Sequence, residues 1–407
     1  MEIVLTGGFM KAKEVMLTLA AIVSLTACGK GSTSYSLLAS GQTFQQNSAQ
    51  DTKVDVLWMV DASATMANHQ SNLANNFDHF INQFVAKGLN FNMAVAGVDA
   101  WLREFNYNAG TCTVDPNPTQ DPDLLYTSSA DCKITAATFG DLTQFRDGDV
   151  YGPIGGSAIR SGTFLLTSGM PALDIKNLFA INIKTGTRGD GVRESAFQSL
   201  RAVLRRNEDG SVGYNGESHT ALASFRRDDA FLAVIIVTDE EDQGRKADNT
   251  AYADIQEYTD AFVAFMDGYT GGTAGDRRYN VSGIVLEDKN NCPYNLNSQA
   301  TQGDRYVSIA TATKGVIGNI CSADFSEQLD IIASQIVSLA TRFKIKGEPV
   351  PGTIRVSVDG VVVPQDETNG WTYVAEGGSH YIEFDGSAVP PQGSQLSVNY
   401  DPASLEF

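Results

Sequence analysis

The sequence predicts a doubly wound α/β fold, in which a mostly parallel sheet is flanked by helices, followed by a small C-terminal all-β module. Short apolar runs alternate with helical periodicity from Val54 to Phe343. The runs are almost uninterrupted in apolar residues, which is typical of parallel strands that are buried on both faces. After Lys346 the apolar period changes from 3.6 to 2, which indicates antiparallel strands.

The first three elements predict a β-α-β unit. Val54–Val60 is a short apolar run and therefore a buried strand. The large apolar residues from Leu73 to Phe84 recur at helical spacing. Phe91–Gly97 is the next strand. Such a unit requires a parallel pair of strands with a covering helix.

The later elements continue the alternation. They are a helix over Ala196–Leu204, a central strand over Phe231–Val237, a helix over Tyr252–Met266, a strand over Val281–Leu286 and a closing helix over Phe325–Phe343. Residues 98–178 show no regular period and contain several Pro and Gly. We interpret them as an insertion into a domain that spans residues 53–345.

The C-terminal module covers residues 346–407. Ile354, Val356 and Val358 alternate with polar residues. Asp359-Gly360 and Asp385-Gly386 are typical hairpin turn signals. A module of this size lies near the lower limit for independent folding, so we expect it to pack against the main domain.

The amino-acid composition argues against two classes of function. The 407 residues are 42% hydrophobic and 19% charged, with a formal net charge of -19. Such an acidic surface repels phosphate backbones, so no nucleic-acid partner is expected. The chain has only four His, none in a His-x-x-x-His pair, which argues against a His-rich zinc centre.

The N-terminus is typical of a secretory signal. Lys11 and Lys13 precede an apolar run from Val15 to Leu25, and Cys28 follows at the expected cleavage site. Leu25-Thr26-Ala27-Cys28 resembles a bacterial lipobox, which implies that residues 1–27 are removed and that Cys28 is lipidated. Gly29 follows, and the absence of Asp there implies an outer-membrane lipoprotein, either periplasmic or surface-exposed. Residues 28–52 are rich in Gly, Ser, Thr and Gln and predict a flexible tether.

Four further cysteines remain in the mature chain. In an oxidising compartment an even number favours disulfides, and three pairings are possible. We favour Cys112–Cys132 and Cys292–Cys321, because these cysteines are nearest in sequence and are flanked by loop-like residues.

Oxygen-bearing side chains follow two of the predicted strands. Asp61, Ser63 and Thr65 come directly after the first strand, and Asp239 follows the central strand. Ligands of open α/β sheets bind at the carboxyl ends of the strands, and hard divalent cations prefer such oxygens. Thr65 could instead cap a helix. The residues after Asp239 are expected to form a solvated acidic rim: Glu240, Glu241 and Asp242.

These motifs resemble a von Willebrand factor A (vWA) domain with a metal-ion-dependent adhesion site. The family's Asp-x-Ser-x-Ser motif corresponds to Asp61-x-Ser63-x-Thr65, and its later Asp corresponds to Asp239. The resemblance covers Val54 to Phe343 and implies a Rossmann-like sheet with a bound divalent metal. Mg²⁺ is favoured, with Mn²⁺ or Ca²⁺ as alternatives.

The family's remaining ligand is a Thr in a loop before a helix. Thr187 lies in a Gly-rich loop and is favoured, whereas counting back from the helix places Asp190 there. The resemblance implies a partner protein that supplies an acidic residue to the open metal position.

The sequence thus predicts a lipid-anchored envelope protein that binds another protein through a metal and is not an enzyme. Two alternatives remain open. One is a hydrolase or other enzyme that uses Asp239 and Glu241 as acid and base. The other is a scaffold of the same fold without metal.

Overall fold

The computed structural model describes residues 40–45, 52–98, 100, 145–148, 159–187, 194–205, 220–246, 250–292, 301–391 and 393–403. These residues lie in one compact unit of the chain, Ala39–Phe407. The predicted signal segment and Cys28 lie outside the described residues.

Among the described residues, the central element is a sheet of seven strands. The chain's first strand, β1 (Ser40–Gln45), joins a smaller C-terminal sheet. The central strands are β2 (Lys53–Val60), β3 (Asn90–Gly97), β4 (Phe145–Arg146), β5 (Leu166–Thr167), β6 (Phe231–Thr238), β7 (Tyr279–Val285) and β8 (Ile317–Asn319).

The strand order confirms a mostly parallel sheet. It runs β4-β3-β2-β6-β7-β8, with β5 also paired to β3. Strands β3, β2, β6, β7 and β8 are mutually parallel, whereas β4 and β5 are antiparallel to the outer edge of β3. Chain order runs outward in both directions from the β2–β6 pair. This pair is therefore the topological switch point of a doubly wound sheet.

Helices cover both faces of this sheet. They are α1 (Ala67–Ala86), α2 (Ala172–Asn182), α3 (Ala196–Val203), α4 (Thr220–Phe225), α5 (Ile255–Thr270), α6 (Asp304–Ala312) and α7 (Ser326–Thr341). Trp58 packs in one buried cluster with α1, α2 and α7, and its neighbour Leu57 packs in a second cluster with α3, α5 and α6. Successive strand residues point to opposite faces, so the two clusters are the two sides of one sheet.

The predicted insertion at 98–178 is regular in part. It contributes β4, β5 and the start of α2. Strands of two residues are too short to show any apolar period, which is why the sequence did not predict them. Residues 101–144, with Cys112 and Cys132, lie outside the described residues.

Two small antiparallel sheets form the C-terminal module. Their strands are β9 (Phe343–Ile345), β10 (Arg355–Val358), β11 (Val361–Val363), β12 (Trp371–Glu376), β13 (Ser379–Phe384) and β14 (Gln395–Tyr400). One sheet has the order β1-β14-β10-β11 and the other the order β12-β13-β9.

One of the two predicted hairpin turns is confirmed. Asp359 and Gly360 have φ of 50° and 80° and connect β10 to its antiparallel partner β11. Asp385-Gly386 does not form a hairpin, because β13 pairs with β12 and β9 rather than with β14. The second hairpin turns instead at Gly377-Gly378, with φ of 55° and 77°.

The module is less separate than the sequence predicted. Strand β1 lies within the predicted tether, residues 28–52, and pairs with β14 over its full length. Strand β9 lies at the end of the predicted main domain, residues 53–345, and pairs with β13. Trp371 and Ile382 of the module belong to the same buried cluster as Trp58. So small a module buries too little apolar surface alone and shares the core of the larger domain.

A close contact joins the module to the main sheet. A methyl group on Gly275 would lie 2.6 Å from the carbonyl oxygen of Glu376 and 2.7 Å from the Cα atom of Gly377, so the two backbones approach as only glycine allows. The Arg342 guanidinium stacks 4.2 Å from the ring centroid of Tyr381, whose hydroxyl donates to the Gly275 carbonyl oxygen.

A disulfide joins Cys292, after β7, to Cys321, after β8, with a Cα–Cα distance of 5.1 Å. Within the described ranges, no helix is both long and apolar enough to cross a bilayer.

Candidate metal site

The two predicted carboxylates lie side by side at the switch point. Asp61 directly follows β2 and Asp239 directly follows β6, and these strands are parallel neighbours. The Asp61 backbone N–H donates to the Val237 carbonyl oxygen at 3.0 Å, which extends the pairing to the sheet edge. Both residues are fully buried. The fold therefore places them where open α/β sheets bind ligands.

The first motif folds into a compact oxygen cluster. The Ser63 N–H donates to Asp61 Oδ1 at 2.5 Å, and the Thr238 hydroxyl donates to Asp61 Oδ2 at 2.8 Å. The Ser63 and Thr65 hydroxyl oxygens lie 3.1 Å apart. Thr65 does not cap α1, whose N-cap residue is Met66. The motif's hydroxyls are thus left available at the site rather than consumed by a helix end.

Asp239 is the residue that most clearly requires a ligand. Both of its carboxylate oxygens are buried and have no hydrogen-bond partner among the residues that the structure describes. A buried carboxylate without partners is costly, and native proteins rarely keep one unless a ligand or ion satisfies it. The residues present therefore fit a cation held beside Asp239.

A third carboxylate, from Glu194, was not predicted. It is buried, forms a side-chain hydrogen bond with Asp61, and its Oε2 accepts from the Thr238 hydroxyl at 3.1 Å. Burial and the nearby Asp239 charge raise the pKa of Asp61 to about 6, even though the Glu194 hydrogen bond opposes this shift. Burial and the Asp61 charge raise the pKa of Glu194 well above its usual value. The two carboxyl groups therefore form a buried, hydrogen-bonded pair.

Gln70 connects the loop that carries Thr187 to the first motif. Its side-chain amide donates to the Asp61 carbonyl oxygen at 2.9 Å, the Thr185 hydroxyl at 3.2 Å and the Gly186 carbonyl oxygen at 2.8 Å. Thr187, the next residue, is half-buried. Asp190 lies outside the described residues. The structure thus places the loop of Thr187 against the first motif.

The prediction that the residues after Asp239 form a solvated acidic rim is wrong. Glu240 and Asp242 are buried, and Glu241 is half-buried. The Glu241 carboxylate accepts from the backbone N–H groups of Asp242 at 2.9 Å and Arg305 at 3.1 Å. Burial raises the pKa of Glu241 to about 7. The sequence could not show this burial, because it depends on α3 and α6 packing over the loop.

The side chains that could bind a cation at this site are carboxylates and hydroxyls. Within the parts of the chain that the structure describes, no group of three or more His, Cys, Asp and Glu side chains is arranged to hold a metal. His69 of α1 is buried nearby; burial lowers its pKa, although the negative charge of Asp239 acts in the opposite direction. A cation here would rely on Asp61, Asp239 and the hydroxyls of Ser63 and Thr65, a hard-oxygen set.

A cavity of about 330 Å³ opens beside the motif. Ala67 and Gln70 of α1 form one wall, and Ala180 and Ile181 of α2 form another. Thr187 also lines it. Gln70 therefore both lines the cavity and contacts the first motif, through the Asp61 carbonyl oxygen.

Comparison with known proteins gives no family assignment. No protein-family model and no curated protein matches the sequence. Among solved structures, mussel byssus proximal thread matrix protein 1 with a zinc-occupied MIDAS motif is 14% identical, with a TM-score of 0.30, over 73% of this chain and 50% of that chain. The SpaC pilus adhesin of Lactobacillus rhamnosus GG is 10% identical, with a TM-score of 0.33, over 86% of this chain and 38% of that chain.

Human Sec24c of the COPII coat is 8% identical, with a TM-score of 0.33, over 89% of this chain and 46% of that chain. Each match spans about half of the neighbour's own chain or less. TM-scores this low support no argument from these neighbours, and the strand order of the chain itself defines the fold.

Proposed function

We propose that this protein is a vWA-type binding protein that uses a divalent cation to capture an acidic residue of another protein. Asp61, Ser63, Thr65 and Asp239 would hold the cation, with Thr187 as the favoured ligand from the third loop. The bound cation would supply a positive charge that attracts a carboxylate of the partner. Mg²⁺ is the preferred ion, with Mn²⁺ and Ca²⁺ as alternatives.

One observation carries the proposal. Within the described part of the chain, both oxygens of the buried Asp239 carboxylate are unpartnered, at the switch point and next to Asp61. A metal-free scaffold of the same fold would leave this charge uncompensated. The unpartnered carboxylate therefore favours a metal-binding protein over a scaffold.

The same geometry argues against the enzyme alternative. Glu241, the other half of the predicted acid–base pair, is bound by two backbone N–H groups. These contacts fix its carboxylate at the start of α6 and hold it as a structural group. We therefore propose binding rather than catalysis.

Isothermal titration calorimetry tests the metal. We expect wild-type protein to bind Mg²⁺, Mn²⁺ or Ca²⁺ at one site, and Asp61→Ala and Asp239→Asn to lose that binding while keeping a wild-type circular dichroism spectrum. A wild-type protein that binds none of the three ions would refute the proposal. An Asp61→Ala variant with wild-type affinity would refute the assigned ligands.

We also propose that the protein is anchored in the bacterial outer membrane through a lipid on Cys28. The support is the basic and apolar leader before this cysteine. We expect Cys28→Ala to move the protein from the membrane fraction to the soluble fraction. Unchanged membrane retention of Cys28→Ala would show that another feature tethers the protein.

A further inference from the structure

We propose that Asp242 is a positioning residue for the metal site, holding the loop of Asp239 against the start of α3. This inference rests on the proposed metal binding and adds a residue that is not itself a ligand. Asp242 lies three positions after Asp239 and is buried.

The Asp242 carboxylate joins two segments of the chain. Its Oδ2 accepts from the Phe197 backbone N–H at 3.0 Å, in the first turn of α3. Its Oδ1 accepts from the Gly244 N–H at 2.6 Å and the Ser195 hydroxyl at 3.4 Å. One side chain therefore closes its own loop and binds the amino end of a helix that lies 45 residues earlier in the chain.

Backbone contacts extend this connection to the carboxylate cluster. The Gln243 N–H donates to the Glu194 carbonyl oxygen at 2.9 Å. The Glu194 side chain in turn bonds Asp61 and Thr238. Displacing Asp242 would therefore shift Glu194 relative to Asp61, as well as the loop that carries Asp239.

Gly244 fits this arrangement closely. A methyl group on Gly244 would lie 2.5 Å from Asp242 Oδ1 and 2.7 Å from the Ser195 hydroxyl oxygen. Any side chain there must push the Asp242 carboxylate aside. Gly244→Ala thus perturbs the same contact from the opposite side, without removing a charged group.

Asp55 provides a matched control. It is a fully buried carboxylate at the other end of β2, about 20 Å from Asp61 along the strand. It accepts from Arg226 Nη1 at 3.0 Å and from the Arg227 backbone N–H at 2.7 Å. Asp55→Asn should lower stability but leave the far edge of the sheet unchanged.

The test compares Mg²⁺ affinity in the full-length protein and in Asp242→Asn, Gly244→Ala and Asp55→Asn. Each is titrated by calorimetry at a temperature where circular dichroism shows it folded. Asp242→Asn keeps the size of the side chain but turns an N–H group toward a backbone donor. We expect the first two variants to bind Mg²⁺ tenfold to a hundredfold more weakly, as for other residues that orient ligands, and Asp55→Asn to bind like wild type.

Wild-type affinity in both Asp242→Asn and Gly244→Ala would overturn the inference and leave the metal site intact. Equal weakening in all three variants would also overturn it, because affinity would then follow overall stability. If wild-type protein binds no Mg²⁺, Mn²⁺ or Ca²⁺, the proposed function fails, and the inference fails with it.

Discussion

Gln70 shows at the residue scale how one side chain can align two loops that are distant in sequence. Its amide donates to the carbonyl oxygens of Asp61 and Gly186 and to the Thr185 hydroxyl. Because all three acceptors are buried with it, losing the amide would leave polar groups unpaired and free the loops to separate.

Replacing Gln70 by Leu should therefore weaken Mg²⁺ binding about tenfold, the usual cost of removing a group that orients metal ligands. Calorimetry on the folded variant measures this. Gln335→Leu is the control, because among the described residues the Gln335 amide donates to the Lys314 carbonyl oxygen alone, in a different part of the molecule. Equal Mg²⁺ affinity in Gln70→Leu and wild type would contradict the role of Gln70.

Some residues of the site could be predicted from the sequence, and others could not. Asp61 and Asp239 could be predicted, because each follows an apolar strand and strand ends meet at one edge of a parallel sheet. Glu194 and Gln70 reach the site through the packing of α1 and α3 against that edge. No local pattern marks them, since a buried Glu and an exposed Glu have the same sequence signal.

At the element scale, the length of each strand determines whether its sequence pattern predicts it. The eight-residue strands β2 and β6 are fully apolar runs or nearly so, and were predicted to within one residue. The two-residue strands β4 and β5 carry no period. The sequence does not predict strand β1, because its residues are mostly polar; the strand pairs along its full length with β14.

The C-terminal module is fixed to the main domain through Glu376 of β12. Its carboxylate pairs with Lys314 at 2.6 Å and Arg342 at 3.3 Å. Partial burial alone would raise the pKa of Glu376, but the Lys314 hydrogen bond and the charges of Lys314 and Arg342 outweigh it and lower the pKa. This stabilisation is therefore present above pH 4.5, the usual value, and is lost as the pH falls through the lower pKa of the folded state.

We expect Glu376→Gln to be less stable than wild type by about 1 kcal/mol at neutral pH, a typical value for a partly exposed ion pair. The difference should shrink as the pH falls below 4.5. Urea midpoints across a pH series measure it, with the exposed Glu348→Gln as a control that should match wild type. A constant difference between Glu376→Gln and wild type at all pH values would rule out this ion pair as the cause.

At the scale of the whole molecule, one sheet with helices on both faces organises the main domain, whereas β1 and β9–β14 form the two smaller sheets. The switch point follows from this topology, and so does the meeting of Asp61 and Asp239. The Cys292–Cys321 disulfide links the loops after β7 and β8, at the same edge of the sheet as the candidate metal site.

Removing this disulfide should lower the free energy of unfolding by about 3.6 kcal/mol in the chain-entropy model, because it closes a loop with a sequence separation of 29 residues. Urea unfolding of the Cys292→Ala, Cys321→Ala double variant under non-reducing conditions measures this. The folded variant should keep its Mg²⁺ affinity, since no proposed ligand is changed. Unchanged stability would show that the link does not constrain the unfolded chain.

The most direct test of the central claim is a thermal melt of wild type and Asp239→Asn with and without Mg²⁺. A ligand at a hundredfold excess over its Kd stabilises the native state by about 2.7 kcal/mol, so the wild-type Tm should rise with Mg²⁺. Without metal, Asp239→Asn should be more stable than wild type by about 1 kcal/mol, because an unpartnered buried charge beside two carboxyl groups is removed. Its Tm should not respond to Mg²⁺. A wild-type Tm indifferent to Mg²⁺, Mn²⁺ and Ca²⁺ at millimolar concentrations, or an equal metal response in Asp239→Asn, would contradict the account.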